Sequence, residues 1–172
     1  MTLQTPPSGR FELHPQLADD THPVAHLALS DVRLMDDSNH PWLVLVPRVA
    51  DVTELLDLDP GQQATLMGEI TLASRVLQQL FEPHKLNVAA LGNLVEQLHV
   101  HVIARFREDI AWPRPVWGMA TARPYEPEQL VRRIERLRRR SDNPFPQVQR
   151  RLQQRHVAVE ERLRGHPQEI VR

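Results

Sequence analysis

Gln97, His99 and His101 stand at strict two-residue spacing in Gln97-Leu98-His99-Val100-His101-Val102-Ile103, alternating with branched apolar residues. In an extended strand such residues share one face, roughly 7 Å from one to the next, while Leu98, Val100 and Val102 fill the other. An imidazole pair on a strand can ligate a metal, relay protons, or attack an electrophile, because neutral imidazole is a good nucleophile that titrates near neutral pH. A zinc centre wants three or four donors, and this pair supplies two. Gln97 is a poor third ligand, the chain has no cysteine, and the remaining histidines (His14, His22, His26, His40, His84, His156, His166) form no second ligand-spaced pair. No metal site is therefore expected. A hydrogen-bonded, half-exposed face without chemistry stays open beside a catalytic or phosphate-binding site.

The flanks of this stretch are informative. Gly92-Asn93-Leu94-Val95 precedes it and Ala104-Arg105 follows it, while Asn39-His40-Pro41-Trp42-Leu43-Val44-Leu45-Val46-Pro47-Arg48 lies upstream and Ala111-Trp112-Pro113-Arg114-Pro115-Val116-Trp117-Gly118 downstream. In this order, over residues 11 to 118, the chain resembles the histidine-triad (HIT) family, whose signature is His-x-His-x-His followed by two apolar residues. The upstream stretch is similar to the family's strand into Val-Ile-Pro-Lys, and the downstream one to the Trp-Pro-Pro-Gly tail of one branch. Three positions depart from the pattern. Gln97 replaces the first triad histidine, Ala104 replaces a proline, and the glycine-rich phosphate loop is reduced to Asn87-Val88-Ala89-Ala90-Leu91-Gly92-Asn93.

The resemblance implies an enzyme, a nucleoside-phosphate hydrolase or nucleotidyl transferase. Its substrate would be a phosphoanhydride or phosphoramidate such as a dinucleoside polyphosphate, and no cofactor is implied. His99 would attack phosphorus through Nε2 and carry a covalent nucleotidyl group, its other ring nitrogen oriented by a backbone carbonyl. Imidazole suits this step because a neutral nucleophile approaches an anionic phosphate more readily than an anion does, and it departs again easily. His101 would donate a hydrogen bond to the phosphate or leaving oxygen, and Gln97 would position without titrating. Asn93 would donate to phosphate. Asp36 resembles the family position that binds ribose hydroxyls, although Asp is equally at home in a turn. Trp112 and Trp117 would stack on a base, meet a partner subunit or fill the fold. Two alternatives remain: a nucleotide-binding module that has lost turnover, and a metal-dependent enzyme using the two histidines.

These residues need a scaffold. Asp31 to Met35 and Leu43 to Val46 read as a hairpin joined through Asp36-Asp37-Ser38-Asn39. Asp59-Pro60-Gly61-Gln62 supplies an N-cap, a proline at the first helical position and a capping-box Gln, and Leu66, Ile70, Ala73, Leu77, Leu80 and Phe81 carry the helix to Glu82-Pro83. Leu86 to Leu91 and Leu98 to Ile103 complete an antiparallel sheet with the helix on one face, an α+β fold.

The formal net charge of −1 conceals two halves. Residues 1 to 122 hold 8 Lys+Arg against 15 Asp+Glu, and residues 123 to 172 hold 13 Arg against 7, with Arg123-Pro124-Tyr125-Glu126-Pro127 at the joint. The expected organisation is a flexible tail over 1–10, a catalytic domain over 11–122 and a basic helical extension over 123–172. Leu130, Ile134 and Leu137 form one apolar stripe in that extension, and Val148, Leu152, Val159 and Leu163 suggest a second. Basic runs on helices are usually solvated faces, so nucleic acid is a disfavoured partner. The chain of 172 residues is 41% hydrophobic, enough for one sizeable core. It has no long apolar run for a membrane span, and Met1 to Arg10 lacks the apolar centre of a signal peptide, which makes the cytoplasm the expected compartment. By resemblance, the chain would act as a homodimer.

Overall fold

A computed structural model describes residues 9–138 of the chain. Most of the expected N-terminal tail and the second C-terminal stripe, Val148 to Leu163, lie outside the described residues. The order is α1 (Pro15–Asp20), β1 (Thr21–His26), β2 (Ser30–Met35), β3 (Trp42–Pro47), a short 3-10 turn (Leu55–Asp57), α2 (Pro60–Phe81), β4 (Lys85–Ala89), β5 (Val100–Arg105) and α3 (Pro127–Arg138). The strands form one antiparallel sheet in the order β1-β2-β3-β5-β4. The α+β expectation holds.

The helix α2 starts where its capping signals place it. Asp59 accepts from Gln62 N–H at 2.8 Å, and the Gln62 side chain accepts from Asp59 N–H at 3.0 Å. Its inner face packs Ala73, Val76, Leu77 and Leu80 against Val32, Leu34, Leu43, Leu45 and Val102 of the sheet. Glu69 is buried on this helix because its carboxylate accepts from Leu29 N–H at 2.7 Å and Ser30 N–H at 3.0 Å, satisfying the β1–β2 turn. Leu137 of α3 is fully buried in the same cluster, with Leu130 and Ile134 packed beside it.

The sheet's other face is covered too, which the sequence pattern did not anticipate. Phe11, Leu13 and Leu17 from the N-terminal segment, and Ala111 and Val116 from the loop after β5, close over Trp42, Val44 and Ile103. That loop is anchored by Arg105, 1% exposed, which donates to both Asp109 oxygens at 2.8 and 3.0 Å, to Asn87 Oδ1 and to Arg114 O. Burial works to raise the Asp109 carboxyl, but hydrogen bonds from Arg105 and from the Phe106 and Ala111 N–H groups together hold it at about 2.

Two expectations shift. The strand read as Leu98 to Ile103 is observed as Val100–Arg105, so Gln97 and His99 sit just ahead of it. β1 was not foreseen, because Pro23 reads against a strand. It is tolerated on an edge strand, where the pairing slips between Pro23 and Ala25.

Candidate active site

β3 and β5 pair with Val44 opposite His101 and Trp42 opposite Ile103, which puts Trp42 diagonally beside His101 on one face. Trp42 Nε1 donates to His101 Nδ1 at 3.0 Å. Indole nitrogen only donates, so His101 Nδ1 is the acceptor and the ring proton resides on Nε2. Burial, with a smaller contribution from His99, pushes the His101 pKa down to about 3, so the ring is neutral at physiological pH.

His99 has the opposite arrangement. Its Nδ1 lies 2.7 Å from the Gln97 carbonyl oxygen, which only accepts, so Nδ1 carries a proton and Nε2 is the nitrogen left to hold a lone pair. The two rings meet edge-on, with centroids 4.8 Å apart. A ring nitrogen free of its proton and a ring N–H thus stand side by side, each set by its own partner. Trp117, folded back by the loop after β5, meets His101 at 5.3 Å and Trp42 at 5.6 Å and walls the pair on one side.

Both imidazoles open into a cavity of about 750 Å³ that Asp20, Asn93, Trp42 and Trp117 also line. Leu17, Met35 and Val95 give it apolar walls. Asn93 follows Gly92, whose φ of +70° is the left-handed conformation that glycine adopts without strain. Among the described residues no lysine or arginine lines this cavity, so hydrogen-bond donors must meet any phosphate.

The sequence-derived residues are therefore only partly assembled. His99, His101 and Asn93 converge. Gln97 does not face this cavity: its Oε1 accepts from His14 N–H at 2.9 Å and its Nε2 donates to Glu12 O at 2.8 Å, clamping the N-terminal segment. Asp36 does not line the cavity either. Its Oδ1 accepts from Tyr125 N–H at 2.9 Å, and its Oδ2 lies 3.4 Å from His22 Nε2. Asp20 is the carboxylate within the cavity, held by Gln16 Nε2 at 2.8 Å. Sequence reasoning missed Asp20 because it missed β1, which Asp20 immediately precedes, and it missed Trp42 as the partner of His101. The two-residue step from Val44 was the available signal. Trp112 stands apart from the imidazoles, edge-on to His84 at 5.2 Å. Among the described residues no group of three or more His, Cys, Asp or Glu side chains is placed to hold a metal ion.

Comparison with known proteins gives this geometry its context. The chain is 34% identical over 110 residues to an AP-4-A phosphorylase of Mycobacterium tuberculosis, covering 60% of this chain and 56% of that protein, so it spans about half the length of this curated relative. A histidine triad protein from Bradyrhizobium japonicum superposes with a TM-score of 0.74 at 49% identity, over 76% of this chain and 98% of that one. One from Marinobacter aquaeolei does so with a TM-score of 0.76 at 43% identity, over 81% and 99%. The HIT domain profile matches residues 17–108, more than half of the chain, and the protein belongs to the HIT family.

Proposed function

We propose that the protein is a nucleotide hydrolase or nucleotidyl transferase that cleaves a phosphoanhydride or phosphoramidate through a nucleotidyl group carried on His99. The carrying observation is the complementary protonation of the two imidazoles. His99 Nε2 offers a lone pair, and His101, kept neutral by burial and with its one ring proton placed on Nε2 by the Trp42 indole, offers a hydrogen-bond donor. In this reading Nε2 of His99 bonds to phosphorus as the P–O or P–N bond to the leaving group breaks. The imidazolium so formed keeps its Nδ1 proton against the Gln97 carbonyl, and His101 donates to a non-bridging oxygen or to the leaving oxygen or nitrogen. Water or another acceptor then attacks the same phosphorus and displaces His99.

Asn93, which lines the cavity, is the proposed phosphate donor. The ribose contact expected of Asp36 passes to Asp20 in this reading, since a carboxylate there can accept from two vicinal hydroxyls and the Asp36 oxygens are engaged elsewhere. The apolar walls suit a base. The relationship to an AP-4-A phosphorylase supports a dinucleoside polyphosphate as the first substrate to assay. We take residues 11–122 as the catalytic unit and 123–172 as an extension, and its described part up to Arg138 packs on that unit through the buried Leu137. We also take the working form to be a homodimer joined through β4, the sheet edge without cover among the described residues. No helix among the described residues is long and apolar enough to cross a membrane.

The first test is His99→Ala, assayed on a dinucleoside polyphosphate panel with mass spectrometry of the quenched wild-type enzyme. The expected result is a nucleotidyl adduct on the wild type and a rate loss of at least about a thousandfold in the variant, roughly 4 kcal/mol. Turnover within about tenfold of wild type would remove His99 as nucleophile. A second reading, nucleotide binding without turnover, draws support from the engagement of the Gln97 amide with backbone, which leaves no side chain of the first triad position in the cavity. Nucleotide binding by a wild type with no turnover on the panel would favour it.

A further inference from the structure

A second polar cavity lies where α3 meets the turn between β2 and β3. Gln129, Arg132, Arg133 and Arg136 recur at the three- and four-residue spacing that aligns side chains along a helix. With Ser38 and Tyr125 they line a cavity of about 440 Å³, which shares no lining residue with the imidazole site. Three guanidinium groups and no carboxylate line it among the described residues.

Two of its polar groups are buried without a partner among the described residues. Tyr125 is 8% exposed and its Oη has no hydrogen bond to any of them, and neither has Arg133 Nη1. Such groups are costly to leave unsatisfied, and both belong to side chains that line one cavity. The cations are already in place: Arg133 lies 4.6 Å over the Phe81 ring and 5.7 Å from that of Tyr125, and Arg136 Nη2 donates to Leu80 O at 2.5 Å. Burial pushes the Tyr125 hydroxyl pKa up, with Asp37 and Asp36 adding and Arg133 opposing, so it keeps its proton.

Neighbouring carboxylates do not supply the missing acceptor. Asp36 accepts from Tyr125 N–H, and Asp37 accepts from Asn39 N–H and Arg123 N–H. Glu128 pairs with Arg132 at 3.4 Å, where both side chains are largely exposed. The donors need a compact anion with several acceptor oxygens, and guanidinium geometry matches phosphate.

We propose that this cavity binds a small phosphate-bearing anion, with inorganic phosphate as the minimal ligand and pyrophosphate filling more of the space. The inference stands independently of the reaction assigned to His99. Calorimetric titration of the full-length chain with pyrophosphate and with phosphate, at constant ionic strength, tests it. Saturable binding is expected in the wild type and, unchanged, in His99→Ala. Tyr125→Phe should weaken it about tenfold, the loss expected for one hydrogen bond to a charged group. Arg132→Gln should weaken it as well. A purely structural hydroxyl would lower the melting temperature when removed; here Tyr125→Phe should melt no lower than wild type without ligand, yet lose most of the pyrophosphate-induced rise. The proposal is overturned if the wild type does not bind either anion, including because the chain's own acidic residues fill the cavity. It is equally overturned if His99→Ala abolishes binding while Tyr125→Phe and Arg132→Gln preserve it, or if RNA binds more tightly than pyrophosphate and displaces it.

Discussion

His99 and His101 carry the same side chain, and single hydrogen-bond partners place their ring protons on opposite nitrogens. A carbonyl fixes the proton of His99 on Nδ1, and an indole N–H fixes the proton of His101 on Nε2. Burial makes a second proton on His101 expensive, because the charged ring would lack solvent and its protonated Nδ1 could no longer accept from the indole. This has a measurable consequence for stability. The unfolded imidazole takes its proton near pH 6.5 and the folded one only near 3, so between these values the unfolded chain binds more protons. His101 thus contributes stability that is complete above about pH 6.5 and declines as pH falls towards 3, by about 1.4 kcal/mol per pH unit. His40, whose pKa burial also lowers against smaller opposing effects of Asp109 and Asp37, adds in the same direction. Urea denaturation of His101→Gln between pH 6.5 and 4.5 should show a pH slope shallower by about one proton than wild type. An unchanged slope would mean that His101 is protonated in the folded protein.

Elements bring these residues together, and they differ in how far sequence alone discloses them. The capping box at Asp59, the apolar stripe of α2 and the hairpin of β2 and β3 rest on local spacing, and local spacing is legible. The alternation around His99 and His101 is legible for the same reason. Gln97 has the same spacing but a different job, because the alternation says which way a side chain points and not what arrives to meet it. Here the arrivals are Glu12 and His14, 85 and 83 residues away. Asp36 likewise looked like a ligand-binding carboxylate, and its partner is Tyr125 N–H, 89 residues on. The loop after β5 is the least legible element, since proline-rich irregular backbone has no period. It is held by Arg105, and through it Trp117 reaches His101. Arg105→Met should leave Asp109 buried without its counter-charge and lower stability by about 3–5 kcal/mol. The urea midpoint measures this, and a loss below about 1 kcal/mol would show that backbone N–H groups suffice for Asp109.

At the scale of the whole molecule, the two sheet edges are treated differently. An open edge strand is a template for pairing with another chain, and proteins block those they do not use. β1 carries Pro23 and a register slip, and Arg138 of α3 donates to Val24 O at 2.8 Å and to Pro23 O at 3.0 Å. β4 has no such cover among the described residues. Its Val88 is 49% exposed and lines an apolar groove with Leu55, Leu56, Met67 and Ile70. An exposed edge continuous with an apolar groove suits a second copy of the same strand, since two-fold pairing satisfies both edges at once and buries both grooves. Val88→Lys would place two ammonium groups close to the symmetry axis and desolvate them there. The wild type should therefore sediment as a dimer and Val88→Lys as a folded monomer with an unchanged circular dichroism spectrum. Arg138→Ala, at the blocked edge, should remain dimeric. A monomeric wild type, or a Val88→Lys protein as dimeric as wild type, would rule out β4 as the seam.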